Sequence, residues 1–173
     1  MPTPGTHRER VPADLIGETP LIDGELVPTA ALALSERLTE LLASVTDEFG
    51  DVDVDLLQLR PDSTSLYFVD PARPDTMSHS RHLDAMWSNP LDMPRRGTQP
   101  LLPLDAIEPE VLRSVVEAAP DVLTSGLSRL SHVSISPDES GEAEYLVALD
   151  FGTSLGHATF DASGEVREVW PDR

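Results

Sequence analysis

The chain has 173 residues and a formal net charge of -19, with no cysteine and no lysine: all 12 basic residues are arginine, against 31 carboxylates. Without cysteine there are no disulfides, thiolate nucleophiles or cysteine-based zinc sites, and without lysine there is no phosphate-binding P-loop and no Schiff-base chemistry. The negative charge disfavours nucleic acid and anionic membranes and would steer in a basic protein, although arginine-for-lysine usage is equally a mark of high-GC coding or of a salt-adapted proteome.

A chain of this length buries roughly 70% of its unfolded surface, so it folds without a metal or cofactor. Residues 1–28 are rich in proline, glycine and charge and read as an irregular arm, pinned by the apolar pairs Leu15-Ile16 and Leu21-Ile22. No apolar leader follows Met1 and no run approaches the ~18 apolar residues of a membrane span, so the expected location is the cytoplasm.

From Ala30 to Phe49 the apolar residues Leu34, Leu38, Leu41, Leu42, Val45 and Phe49 recur on one helical face. Thr29 is placed to cap this helix and Gly50 to stop it. The period then drops to two. Asp51-Val52-Asp53-Val54-Asp55 alternates strictly and continues through Leu57 and Leu59, which predicts a strand carrying its three aspartates on one face. Pro61-Asp62-Ser63 marks a turn. Ser65–Val69 reads as the next strand and Thr76–Trp87 as a third.

Residues 88–104 hold four prolines and Arg95-Arg96-Gly97 and read as a linker. The same programme then restarts. A helix is predicted over 109–119, opened by Pro109 and ended or kinked by Pro120. Strands follow over Leu130–Ser136, Glu144–Phe151, Gly156–Phe160 and Glu165–Trp170, with Asp161-Ala162-Ser163-Gly164 as a hairpin turn.

The expected fold class is therefore α+β: two helix-then-antiparallel-strands repeats, residues 29–87 and 105–173, forming a sheet packed against helices. Pro61-Asp62 recurs as Pro137-Asp138, 76 residues on; Tyr67 matches Tyr145 and His79 matches His157, each 78 residues on. The two-residue change falls in the turn at Glu139–Glu142. These four Tyr and His positions are candidate binding residues, although packing at equivalent strand positions is the preferred explanation.

Other strings carry less. Gly152-Thr153-Ser154-Leu155-Gly156 matches the Gly-x-Ser-x-Gly nucleophile elbow, but the alternation of His157–Phe160 predicts a strand after it where the elbow needs a helix. Asp51-x-Asp53-x-Asp55 opens like a calcium loop and then has Leu56 where glycine is required and Asp62 where a glutamate is required. His79 and His82 on a strand point to opposite faces and cannot share a metal. Trp87 and Trp170 close the two strand groups and are expected as core plugs. No metal or cofactor is expected, and no catalytic residue is assigned.

Tyr145-Leu146-Val147-Ala148-Leu149-Asp150-Phe151 and Thr159-Phe160-Asp161-Ala162-Ser163-Gly164-Glu165-Val166 resemble the strand, Asp, Gly, strand ending of tandem PepSY or beta-lactamase-inhibitor-protein-like repeats. The order of elements also resembles YezG-type immunity proteins. Either resemblance implies an antiparallel sheet against helices and action by binding, and neither carries a site residue across. The leading expectation is a non-enzymatic binding or inhibitory protein, in the manner of an immunity protein facing a basic toxin, with Asp51, Asp53 and Asp55 as its acidic ridge. The competing classes are a small enzyme using His79, His157 and nearby carboxylates as acid and base, and a housekeeping domain whose acidity reflects its host.

Overall fold

The computed structural model describes residues 21–22, 27–123, 128–152 and 154–170, with side chains from Ala30 onward. The chain runs β1 (Leu21–Ile22), α1 (Val27–Phe49), β2 (Asp53–Leu59), β3 (Thr64–Val69), β4 (Thr76–Leu83), β5 (Met86–Trp87), β6 (Leu91–Pro94) and β7 (Leu102–Pro103). A single 3-10 turn (Leu104–Ala106) leads to α2 (Pro109–Val122), then β8 (Ser128–Pro137), β9 (Ala143–Asp150), β10 (Leu155–Phe160) and β11 (Val166–Trp170). It is a mixed α/β architecture dominated by one antiparallel sheet, whose main path is β11-β10-β9-β8-β2-β3-β4-β5.

Both helices lie on one face of this sheet. Leu34, Leu38, Leu41 and Val45 of α1 and Leu112, Val115, Val116 and Ala119 of α2 join Val54, Leu57, Leu59, Leu66 and Phe68 of the first strands in one apolar cluster. Val133, Ile135, Tyr145, Val147, Leu149 and Phe160 of the later strands complete it. Burying each such side chain contributes about 1.5–3 kcal/mol. Among the described residues, no helix covers the opposite sheet face.

The centre of the sheet is the antiparallel pair β2–β8, with Leu57 opposite Ile135, Gln58 opposite Ser134 and Leu59 opposite Val133. Each strand carries one bulge, at Asp55 in β2 and at Ser131 in β8. Beyond the pair, β3 and β4 continue on one side as β9 and β10 do on the other.

Several sequence expectations are corrected. Helix α1 begins at Val27, so Thr29 lies inside it and is not its cap; Pro28 is tolerated there because first-turn N–H groups have no intrahelical partner. Helix α2 runs through Pro120 to Val122, because a proline this close to the end deletes a single ladder bond. Leu21–Ile22, expected in the irregular arm, pair with Ser128 and Arg129 of β8; Leu15-Ile16 lie outside the described residues.

Thr76–Trp87 is a hairpin rather than one strand. Asp84 and Ala85 take φ of 50° and 62° between β4 and β5, the left-handed pair that a two-residue turn demands. The expected linker 88–104 is tied into the sheet, β6 pairing with β4 and β7 with β2. Pro94 and Pro103 end the short strands β6 and β7, and Pro90 and Pro100 lie outside any strand, so none interrupts a long ladder. Asp51 lies just ahead of β2 and Asp55 is its bulge: the aspartates alternate with buried Val52 and Val54 from 51 to 55, and the phase shifts at Leu56.

Candidate functional site

The three aspartates of the expected ridge part company. Asp55 sits beside Arg95 and is half-buried; burial raises its carboxyl pKa and the guanidinium pulls it back down. Asp51 and Asp53 instead line a cleft of about 640 Å³ at the end of the sheet, together with Asp105. Its walls are Leu42, Ala43 and Thr46 of α1, Val52, Pro71, Pro103, Leu104 and Ile107. An amphipathic helix end, the start of a central strand and the 3-10 turn thus meet to make an apolar floor with three carboxylates at its rim. Sequence reading missed Asp105 and the whole wall from Pro103 to Ile107, which lies across the boundary between a presumed linker and the second helix. Pro103-Leu104 before an acidic residue gave no periodic signal.

The aromatic and imidazole residues lie elsewhere. His79 stacks on Tyr67, with ring centroids 4.2 Å apart and planes 12° apart, on the helix-free face. Its Nε2 is buried and has no hydrogen-bond partner. Burial, then the neighbouring Arg81, lowers its pKa. His82 points the other way, edge-on to Trp87 at 5.0 Å, which separates the two imidazoles as strand alternation requires. Trp87 packs against the core and its indole N–H donates to Ser44 Oγ (2.9 Å). Trp170 does not plug the core: it is 52% exposed and stacks on His157 at 5.5 Å.

His79 is opposite Tyr67, which is opposite Leu56, and His157 is opposite Ala148, which is opposite His132. Tyr145 is opposite the buried Ile135, and Tyr67 is opposite the half-buried Leu56. The expected Tyr67–Tyr145 match is corrected, since the two rings lie on opposite faces of the sheet. The hairpin after β8 is longer than the one after β2 by more than the sequence spacing suggested. Tyr145 is fully buried under α2, where its hydroxyl accepts the Glu108 N–H (3.0 Å), whereas Tyr67 lies on the opposite face.

The chain turns directly from β9 into β10, with Gly152 and Ser154 between the two strands. Phe151 N–H donates to the Ser154 carbonyl (3.0 Å), Gly152 has φ of 84°, and β10 follows directly. The strained strand-to-helix turn of a nucleophile elbow is not formed. Two turns expected from the sequence share one geometry, which the sequence did not reveal: Asp138-Glu139-Ser140-Gly141-Glu142 and Asp161-Ala162-Ser163-Gly164-Glu165. In each, the aspartate Oδ1 accepts two backbone N–H groups and the serine hydroxyl, at 2.7–3.0 Å. Arg167 bridges Asp138 (2.7 Å) and Glu144 (3.6 Å). The Ser140 hydroxyl and Arg167 hold the Asp138 carboxyl far below the usual carboxylate range.

Among the described residues no group of three or more His, Asp or Glu side chains could hold a metal ion, and no helix is long and apolar enough to cross a membrane. No protein-family profile matches the chain, and no curated protein and no solved structure is significantly similar to it.

Proposed function

We propose that this chain is a non-enzymatic binding protein whose cleft at Asp51, Asp53 and Asp105 takes a basic, partly apolar segment of a partner protein. The observation behind this reading is the cleft itself, an apolar floor rimmed by three carboxylates whose side chains make no hydrogen bond or ion pair among the described residues. Magnitudes divide the labour. Exposed ion pairs are worth about 0–1 kcal/mol each, and covering the small apolar floor contributes only about 2 kcal/mol before the costs of ordering. Floor and rim would therefore contribute comparably, and the net charge of -19 would raise the association rate of a cationic partner. An inhibitory or immunity role follows if the captured segment belongs to the partner's working surface.

The repeat reading is part of the same proposal: the two halves descend from one helix-and-three-strand unit, related by a pseudo-twofold axis at Gln58 and Ser134. In support, Gln58 faces the residue that would be its own counterpart 76 positions on, and donates to its hydroxyl (3.3 Å). The bulges at Asp55 and Ser131 keep the same spacing.

Titration of the isotope-labelled protein with a short synthetic peptide alternating arginine and leucine tests the cleft. Amide shifts should concentrate on residues 42–46, 51–53 and 103–107. Shifts confined to the exposed helix surfaces would refute the assignment.

A further inference from the structure

We infer that the helix-free face of the sheet is a self-association surface, and that its occupant is a second copy of this chain packed face to face. The face is built from alternate residues of β4, β3, β2, β8, β9 and β10. It presents Leu56, Tyr67, Leu146 and the two imidazole stacks, with Leu155 and Trp170 at its margin, both 52% exposed.

Charge decides what can cover it. A chain of net charge -19 repels its own copies over most of its surface. The exposed side of α1 carries Glu36, Glu40, Asp47 and Glu48, and that of α2 carries Glu110, Glu117 and Asp121. On the helix-free face the balance is different. Arg60, Arg81, Arg129 and Arg167 stand among Glu144, Asp150 and Glu168, with Arg129 paired to Asp150 (3.4 Å) and Arg167 to Glu144. This is a surface on which two copies meet without net repulsion, and it suits neither a strongly basic nor a strongly acidic partner.

Area sets the strength. Six strands at ~4.8 Å spacing and ~20 Å length give roughly 600 Å² per copy. The total of about 1,200 Å² is the lower limit of a specific interface. Two twisted sheets pack face to face about 10 Å apart at roughly -30°, which leaves room for the half-buried side chains to interdigitate. The expected dimer is weak, with a Kd in the micromolar range. Screening should tighten it, since salt weakens the long-range repulsion between two acidic bodies while leaving apolar contact in place.

Sedimentation equilibrium of the full chain tests this at low and high sodium chloride. The expected result is a species of twice the 18.8 kDa chain mass at high protein concentration, favoured by salt. Leu146→Arg should weaken association at least tenfold. Leu155→Arg, at an exposed side chain, carries the same prediction should the first variant fail to fold. Leu32→Arg, on the exposed side of α1, should leave association unchanged. A monomer at several hundred micromolar in high salt would overturn the inference. So would dimers that persist in both face variants, or a dimer lost in Leu32→Arg.

Discussion

The two halves of the sheet close equivalent hairpins with opposite charges. Between β2 and β3 the turn is held from outside by a cation: Arg37 of α1 donates to the carbonyls of Arg60 (2.6 Å) and Pro61 (3.3 Å) and to the Thr64 hydroxyl (2.9 Å). Between β8 and β9 the turn is held from inside by an anion, Asp138, which accepts the N–H groups of Ser140 and Glu142. A turn that exposes carbonyls needs a donor and a turn that exposes N–H groups needs an acceptor. Similar strand geometry has thus been stabilised by two unrelated local solutions, and only the second is written within a few residues of sequence.

The largest expected effect is in the first hairpin. Arg37→Met keeps the aliphatic stem and removes the guanidinium, leaving partly buried carbonyls without their charged donor; bonds to charged groups are worth about 1.5–3 kcal/mol. Urea unfolding should show a loss of ~2–3 kcal/mol. A change within error would mean that Arg37 is an ordinary surface side chain and that the two hairpins are not locked in parallel ways.

Asp138→Ala should cost less, about 1–2 kcal/mol, because its turn retains Gly141 at φ 85°. The identical turn at Asp161 serves as the internal control. It lacks the 2.7 Å bond that Arg167 makes to Asp138, so Asp161→Ala should cost less again. The pH dependence has a definite sign. The Asp138 carboxyl is depressed in the folded state, so its contribution is present above the unfolded carboxylate pKa and is lost as pH falls through the folded one. Asp138→Ala should therefore flatten the acid limb of the stability curve.

The smallest effect lies in the imidazoles. His79 in the first half and His132 in the second are both lowered, first by burial; Arg81 adds to it for the former, Arg60 and His157 for the latter. Depressed imidazoles stabilise the fold above the unfolded histidine pKa of about 6.5 and cease to as pH falls through their folded values. His132→Gln should reduce the loss of stability between about pH 7 and pH 5. An unchanged slope would contradict the assignment.

How much of this was legible in sequence follows from which interactions are local. Both helices and most strands were visible because Leu34 to Phe49 and Val111 to Ala119 repeat at the helical period and Tyr145 to Phe151 does not. The hairpin at Asp84-Ala85 was missed because neither residue is a glycine or asparagine, the usual sign of left-handed backbone. Segment 88–104 read as a linker because its pairing with β4 and β2 is non-local and its prolines mask short strands. The alternation of the three aspartates with Val52 and Val54 was legible, whereas the bulge at Asp55 was not: a bulge is a property of the pair of strands, and β2 alone does not announce it. Asp105 was invisible as a partner of Asp51 and Asp53 because only the fold brings them to one cleft.

That cleft is the centre of the account, and affinity for a defined cationic probe tests it most directly. Fluorescence anisotropy with the labelled arginine–leucine peptide should be measured for the wild type and for the triple variant Asp51→Asn, Asp53→Asn, Asp105→Asn. A second triple variant, Glu36→Gln, Glu40→Gln, Asp121→Asn, removes the same net charge from the helix surfaces. The account predicts binding that weakens with salt, falls at least tenfold in the cleft variant and changes little in the matched variant. Equal losses in both variants would show that the peptide responds only to the overall field of the chain and would contradict a cleft-borne site.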